Sequence, residues 1–155
     1  MRPTLRALAA RGGALAGLPL ALLVAACGGG GGSSFAARAD AICIRESQAV
    51  KRLPAPHDFA EQQADYEKQV AIVREEIAAL RRLDAPDGLK LPLHRLIKAI
   101  KDELDAGEYL HLAGLFGDVE SAEGADYRGR EAARRAFVYA LRLGLSACGR
   151  APAVP

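Results

Sequence analysis

The sequence is poor in the residue types that build several common kinds of binding site. Its 155 residues include no tryptophan, only four phenylalanines and four tyrosines, and three cysteines. So few aromatic side chains offer little surface for stacking sugar rings or the bases of single-stranded nucleic acid. The sustained alternation of apolar and polar residues that marks a half-buried strand is also missing from the sequence. We therefore expect neither a β-rich fold nor an aromatic binding platform.

Motifs of the common enzyme classes are missing as well. The sequence has no Gly-x-Ser-x-Gly elbow and no Cys-x-x-Cys-His haem motif. The five glycines of residues 28–32 are not followed by the Lys-Ser/Thr ending of a phosphate-binding loop. We predict a protein that is not an enzyme and that holds no cofactor.

Residues 1–26 have the pattern of a secretory signal peptide. They contain three arginines and no acidic residue, followed by a run of 13 mainly apolar residues from Ala14 to Ala26. A helix that spans a bilayer needs about 20 such residues, so a cleaved signal peptide explains the run better than a transmembrane helix.

The sequence Val24-Ala25-Ala26-Cys27 resembles the lipobox of bacterial lipoproteins. The resemblance implies that the thiol of Cys27 carries a diacylglyceryl group, that residues 1–26 are removed, and that the new amino terminus is acylated, for example with palmitate. Residues 28–34 then form a Gly/Ser tether with a root-mean-square reach of about 14 Å. An ordinary cleaved signal peptide with a fortuitous cysteine is the alternative.

This pattern predicts a lipid-anchored protein on the extracytoplasmic face of the cell membrane, or on the outer membrane if the host has two membranes. Without residues 1–26, 18 basic residues remain against 19 acidic ones, a net charge of about −1. Basic residues cluster only as pairs, such as Arg81-Arg82 and Arg134-Arg135. We therefore expect no nucleic-acid partner and no basic patch large enough to bind anionic lipid.

The remaining cysteines, Cys43 and Cys148, lie near the two ends of residues 35–150, which we predict to form one domain. An even pair in an oxidising compartment is a candidate disulfide, with two reduced thiols or a metal site as alternatives. Residues 151–155 are predicted to be a loose tail.

The periodicity of the domain is helical, and we predict helices over residues 35–53, 58–83, 92–116 and 119–147. Ser34 and Asp58 are the expected N-caps, residues 85–88 a turn, and Gly149 a helix C-cap. Apolar residues at steps of three and four mark the inward faces: Phe35, Ala39, Ile42, Ala49 and Leu53; Phe59, Tyr66, Val70, Val73, Ile77 and Leu80, with Gln63 in the same seam; Leu93, Ile97, Ile100 and Leu104; and Ala133, Phe137, Ala140 and Leu141.

Four amphipathic helices with short connections favour an all-α, antiparallel up-down-up-down bundle. That topology places the start of the first helix and the end of the fourth at one end, where a Cys43–Cys148 disulfide would close the bundle. The stretches Ala-Asp-Ala-Ile-Cys-Ile-Arg and Leu-Gly-Leu-Ser-Ala-Cys-Gly resemble a group of small, alanine-rich actinobacterial lipoproteins, and this resemblance implies no activity.

Two features hint at chemistry. Glu108 and His111 form a Glu-x-x-His pair, the unit from which ferritin-like bundles build half of a di-iron site, but such a site needs a second pair and two more glutamates. Glu46 falls at an inward position of the first helix. A carboxylate there could bind a ligand or exchange protons, or it could form an ion pair with an arginine or turn outward into water.

The sequence thus leaves two main functional hypotheses, besides a third in which two helices of a polar bundle form an inhibitor-like surface. The first is a non-enzymatic binding or structural module of the cell envelope, whose partner is an envelope protein or a small hydrophobic ligand. The second is a metal-binding, ferritin-like or redox bundle that uses Glu108, His111 and Glu46.

Overall fold

The computed structural model describes residues 34–149. Within this range the chain forms four helices and no strand: α1 (Phe35–Lys51), α2 (Phe59–Arg81), α3 (Asp87–Phe116) and α4 (Val119–Arg142). They make the antiparallel up-down-up-down bundle that the periodicity predicts. The predicted signal peptide, Cys27, most of the predicted tether and the predicted tail at 151–155 lie outside the described residues.

Side-chain caps start three of the helices. Ser34 accepts a hydrogen bond from the Ala37 amide, and Asp58 accepts one from the Glu61 amide at 2.8 Å, as predicted. The Glu61 carboxylate in turn accepts the amide of His57, one residue before the cap. Asp118 caps α4 through the Ser121 amide. Each cap satisfies an amide that the helix itself leaves without a partner.

Helix α3 begins earlier than predicted. Residues 85–88 are not an isolated turn, because Asp87 and Gly88 already belong to α3, whose first amides bond to the Pro86 carbonyl. Pro92 lies inside the helix rather than at its start. A proline in the second turn forfeits one backbone hydrogen bond. Packing of Leu89 and burial of Leu93 on either side of it offset that loss.

The contact between α3 and α4 is the most extensive of any helix pair in the described residues, and it is made by small side chains. Buried alanines recur along both helices at Ala99, Ala106 and Ala113 of α3 and at Ala125, Ala132, Ala136 and Ala140 of α4. Gly129 lies so close to α3 that a Cβ atom added to it would be 3.6 Å from that of Ala106. Small residues let the two backbones approach and pack at high density.

This packing overturns part of the predicted inward face of α4. Phe137 and Leu141 are 45% and 58% exposed and Ala133 is half-buried, whereas Ala140 is buried as predicted, together with Ala132 and Ala136. The predicted seam of α2 is confirmed from Val70 to Leu80, but Phe59 at its start is exposed. Large apolar residues mislead here because the narrow space beside α3 admits only alanine and glycine.

The larger core side chains surround the end of the bundle where α1 begins. Leu80 and Leu96 are fully buried, and Phe35, Ala39, Ile97 and Ile100 pack around them in one cluster. Cys43 and Cys148 belong to this cluster and form the predicted disulfide, with their Cα atoms 5.1 Å apart. The bridge joins residues that are 105 positions apart in sequence.

Helix α4 ends at Arg142 rather than near Ala147, and a short segment then returns across α1. Gly144, with φ of 70°, ends the helix, and the Leu145 amide bonds back to the Ala140 carbonyl. This left-handed glycine cap takes the role that the sequence analysis gave to Gly149. We call residues 143–149 the return segment.

Asp40 of α1 holds the return segment in place. Its carboxylate accepts hydrogen bonds from the backbone amides of Ser146 and Ala147 and from the Ser146 hydroxyl, at 2.8 to 3.0 Å. Burial alone would raise the pKa of Asp40, but these hydrogen bonds outweigh burial and hold the pKa below its ordinary value.

Candidate functional site

Three glutamates from three different helices share the interior of the bundle. Glu46 lies on α1, Glu76 on α2 and Glu103 on α3, and we call them the glutamate cluster. Glu76 is only 8% exposed, while Glu46 and Glu103 are partly buried. None of the three has a hydrogen bond or ion pair to another side chain within residues 34–149.

Burial and mutual repulsion change the acidity of the cluster. Burial, and then the charges of Glu46 and Glu103, raise the pKa of Glu76 from 4.5 to about 8. Burial also raises the pKa of Glu46, and burial together with the charge of Glu46 raises that of Glu103. Both effects disfavour the ionised form. At neutral pH Glu76 is therefore mostly protonated.

Glu46 thus does lie toward the interior, as its helical position predicts, but no arginine of the described chain pairs with it. The apolar periodicity of the sequence does not identify Glu76 and Glu103 as inward residues. Each is adjacent in sequence to an inward residue, Ile77 and Leu104. Flanking positions of this kind become buried when a helix has neighbours on two sides.

His111 sits in a second polar group, between α2 and α3. Its ring stacks on Tyr66 with the ring centroids 3.9 Å apart, and its Nε2 lies 2.8 Å from Oε1 of Gln63. The Tyr66 hydroxyl is buried and has no hydrogen-bond partner in the described part of the chain. Burial, and then the nearby charge of Glu108, raise the pKa of Tyr66. His111 thus bridges two helices through one stacked ring and one hydrogen bond.

Glu108 has a different partner from His111. Its carboxylate accepts a hydrogen bond from the Arg74 guanidinium at 2.6 Å, in an ion pair between α2 and α3. None of the contacts within residues 34–149 brings Glu46 to either Glu108 or His111. Across the same residues, no three His, Cys, Asp or Glu side chains are arranged to hold a metal ion. The Glu-x-x-His pair joins neighbouring helices here, and no observation favours the metal-binding hypothesis.

An open groove of about 580 Å³ runs between α3 and α4. Its walls carry charged and tyrosine side chains, with Ala106 at its base. Arg135 lies 3.3 Å from the Asp102 carboxylate, and the Arg128 guanidinium stands 5.3 Å from the centre of the Tyr109 ring. These two contacts engage four of the side chains that line the groove.

No helix between residues 34 and 149 combines the length and the apolar character needed to cross a bilayer. The chain matches no protein-family model, no curated protein and no solved structure with which it was compared.

Proposed function

We propose that this protein is a lipid-anchored module of the cell envelope, held outside the cytoplasm, whose helical bundle binds a partner or has a structural role without catalysing a reaction. The observation that carries the proposal is the Cys43–Cys148 disulfide, which closes the bundle across 105 positions. Disulfides of this kind persist in oxidising compartments outside the cytoplasm and are rare within it.

The sequence that precedes the bundle supports a lipid anchor on the outer side of the membrane. Cys27 follows an apolar run of the length of a signal-peptide core and is joined to Ser34 by glycines and serine. Two or three acyl chains on one cysteine hold a protein on a bilayer far more firmly than a single chain does. On this proposal the mature protein begins at Cys27 and stays on the membrane.

The polar interior supports binding or structure rather than catalysis. His111 is paired with Gln63, Glu108 with Arg74, and Asp40 with the return segment. The glutamate cluster takes up protons but has no neighbouring nucleophile or electrophile among its described contacts. An envelope protein is the partner class that we favour, because the groove between α3 and α4 is open and carries charged and tyrosine side chains, whereas a small hydrophobic ligand needs an enclosed apolar cavity.

The anchor is tested by replacing its cysteine. Cys27→Ser should move the protein from the membrane fraction to the soluble fraction, and the intact mass of the wild-type protein should show acyl chains on Cys27. Cys148→Ser is the matched control, because it removes a different cysteine and should leave the protein on the membrane. A wild-type mass without acyl chains on Cys27 would refute the proposal.

A further inference from the structure

The outward side of α4 carries large apolar residues and arginines together. Opposite its buried alanines, this helix exposes Tyr127, Arg130, Arg134, Phe137, Val138 and Leu141, which we call the α4 outer face. Their spacing places all six on one side of an α-helix. Gly149 of the return segment lies against the backbone of Phe137, but the side chains of Phe137, Val138 and Leu141 stay 45% to 58% exposed.

The α4 outer face is also basic, although the protein as a whole is not. Arg130 and Arg134 lie on the α4 outer face and Arg142 is exposed beside it at the end of the helix, whereas Arg128 and Arg135 line the groove between α3 and α4. Arg130 pairs with Asp126 and Arg134 with Glu131 along the helix, but these are exposed pairs of little strength. Arg142 lies over the Tyr139 ring, with its Cζ atom 5.6 Å from the ring centre. No run of basic residues marks this face in the sequence, because helical spacing separates Arg130, Arg134 and Arg142.

The apolar end of the α4 outer face is also the end from which the chain leads to Cys27. Helix α1 starts where α4 finishes, and Phe35 and Ala39 share one core cluster with Ala140 and Leu143. Six residues lie between Cys27 and Ser34, and the seven steps along the chain span at most about 25 Å. A lipid on Cys27 therefore keeps Phe137, Val138 and Leu141 near the bilayer.

We propose that the α4 outer face is a second membrane contact, which lays the bundle against a bilayer that contains anionic lipids. This inference rests on the lipid anchor proposed above. Helices that lie in the membrane interface combine apolar side chains with arginines that reach the headgroups. Arginine also buries its aliphatic stem while its guanidinium stays at the charged surface.

The opposite end of the bundle provides an internal contrast. Phe116 is 84% exposed, the highest value among the exposed large apolar residues of the described chain. Its neighbours along the chain are acidic, at Asp118, Glu120 and Glu123. Phe116 lies just before the start of α4, and the helix rises about 33 Å from Val119 to Leu141. An anionic surface would repel this end, so Phe116 serves as an exposed apolar site that should not touch lipid.

Tryptophan fluorescence tests the contact directly, because the chain has no tryptophan of its own. The full lipidated protein is reconstituted into vesicles of phosphatidylglycerol and phosphatidylcholine that contain brominated lipids. We expect the indole of Phe137→Trp to be quenched about twofold or more and that of Phe116→Trp to stay unquenched. Leu141→Trp serves as a second reporter if Phe137→Trp does not fold.

Charge reversal separates the basic patch from the apolar residues. In the Phe137→Trp background, Arg134→Glu/Arg142→Glu should abolish the quenching, as should vesicles of phosphatidylcholine alone. Arg81→Glu/Arg82→Glu makes the same charge change on another helix at the same end and should leave the quenching unchanged.

The two proposals fail in different ways. Protein that stays on the vesicles with an unquenched indole in Phe137→Trp would overturn the contact and leave the anchor standing. Protein that does not stay on the vesicles at all would overturn both. A blue-shifted indole that brominated lipids do not quench would show a protein covering this face and would also overturn the proposed membrane contact.

Discussion

Among the described residues, Glu76 has the carboxyl group whose pKa the fold raises most strongly. Its carboxyl group is buried beside Glu46 and Glu103, and no cation among residues 34–149 pairs with it. A buried carboxylate without such a partner loses hydration that nothing replaces, so the folded protein holds the proton instead. The state of this one proton therefore couples the stability of the bundle to pH.

We expect the free energy of unfolding to fall as pH rises from 5 to 9. The unfolded chain releases the Glu76 proton near 4.5, whereas the folded protein keeps it up to about pH 8. The contribution of the protonated group is complete below 4.5 and is lost as pH rises through 8, a change on the order of 3 to 5 kcal/mol. Glu76→Gln, which cannot ionise, should remove most of this decline when urea unfolding is followed from pH 5 to 9.

Glu75→Gln is the matched control, because its side chain is exposed on the same helix. It should leave the pH profile of the wild-type protein intact. Equal slopes for the wild-type protein and Glu76→Gln would show that Glu76 is not the residue that couples stability to pH.

The return segment is a short stretch of chain without helical structure, and several separate contacts fix its position. Gly144 turns the chain at the end of α4, Asp40 accepts hydrogen bonds from Ser146 and Ala147, and Gly149 packs on the backbone of α4. Periodicity extended α4 through this stretch because Leu143, Leu145 and Ala147 are apolar and Gly149 resembles a cap. The positive φ at Gly144 decides the actual end, since a left-handed glycine stops the helix one residue after Leu143.

The two glycines of the return segment should respond differently to alanine. Both have φ near 70°, so each substitution costs about 1 kcal/mol or more in backbone strain. At Gly144 the added Cβ atom meets open space, but at Gly149 it would lie 2.8 Å from backbone atoms of Phe137. Gly149→Ala should therefore lower the free energy of unfolding by at least about 1 kcal/mol more than Gly144→Ala in urea titrations. Similar losses in the two variants would refute the close packing at Gly149.

The four-helix fold could be predicted because the spacing of its apolar residues and the positions of its cysteines are regular. Apolar residues at steps of three and four along the chain set the number of helices, and cysteines near both ends of the domain indicated the disulfide. Which side of α4 faces the core could not be predicted, because alanine contributes little to an apolar pattern that Phe137 and Leu141 dominate. The glutamate cluster was only partly predictable. Periodicity predicts that Glu46 lies toward the interior. It does not predict which carboxylates of other helices lie beside Glu46.

The Cys43–Cys148 bridge should supply a large share of the stability of this small domain. Closing a loop of 105 positions restricts the unfolded chain, which the chain-entropy account values at about 4 to 5 kcal/mol. Reduction should lower the midpoint of urea unfolding. The midpoint of Cys43→Ala/Cys148→Ala should equal that of the reduced wild-type protein and should not change when reductant is added. Asp40 still holds the return segment in both forms, so the reduced bundle should keep its helical circular dichroism. Two free thiols in the denatured, non-reduced protein, or an unchanged midpoint after reduction, would contradict a bridge that stabilises the fold.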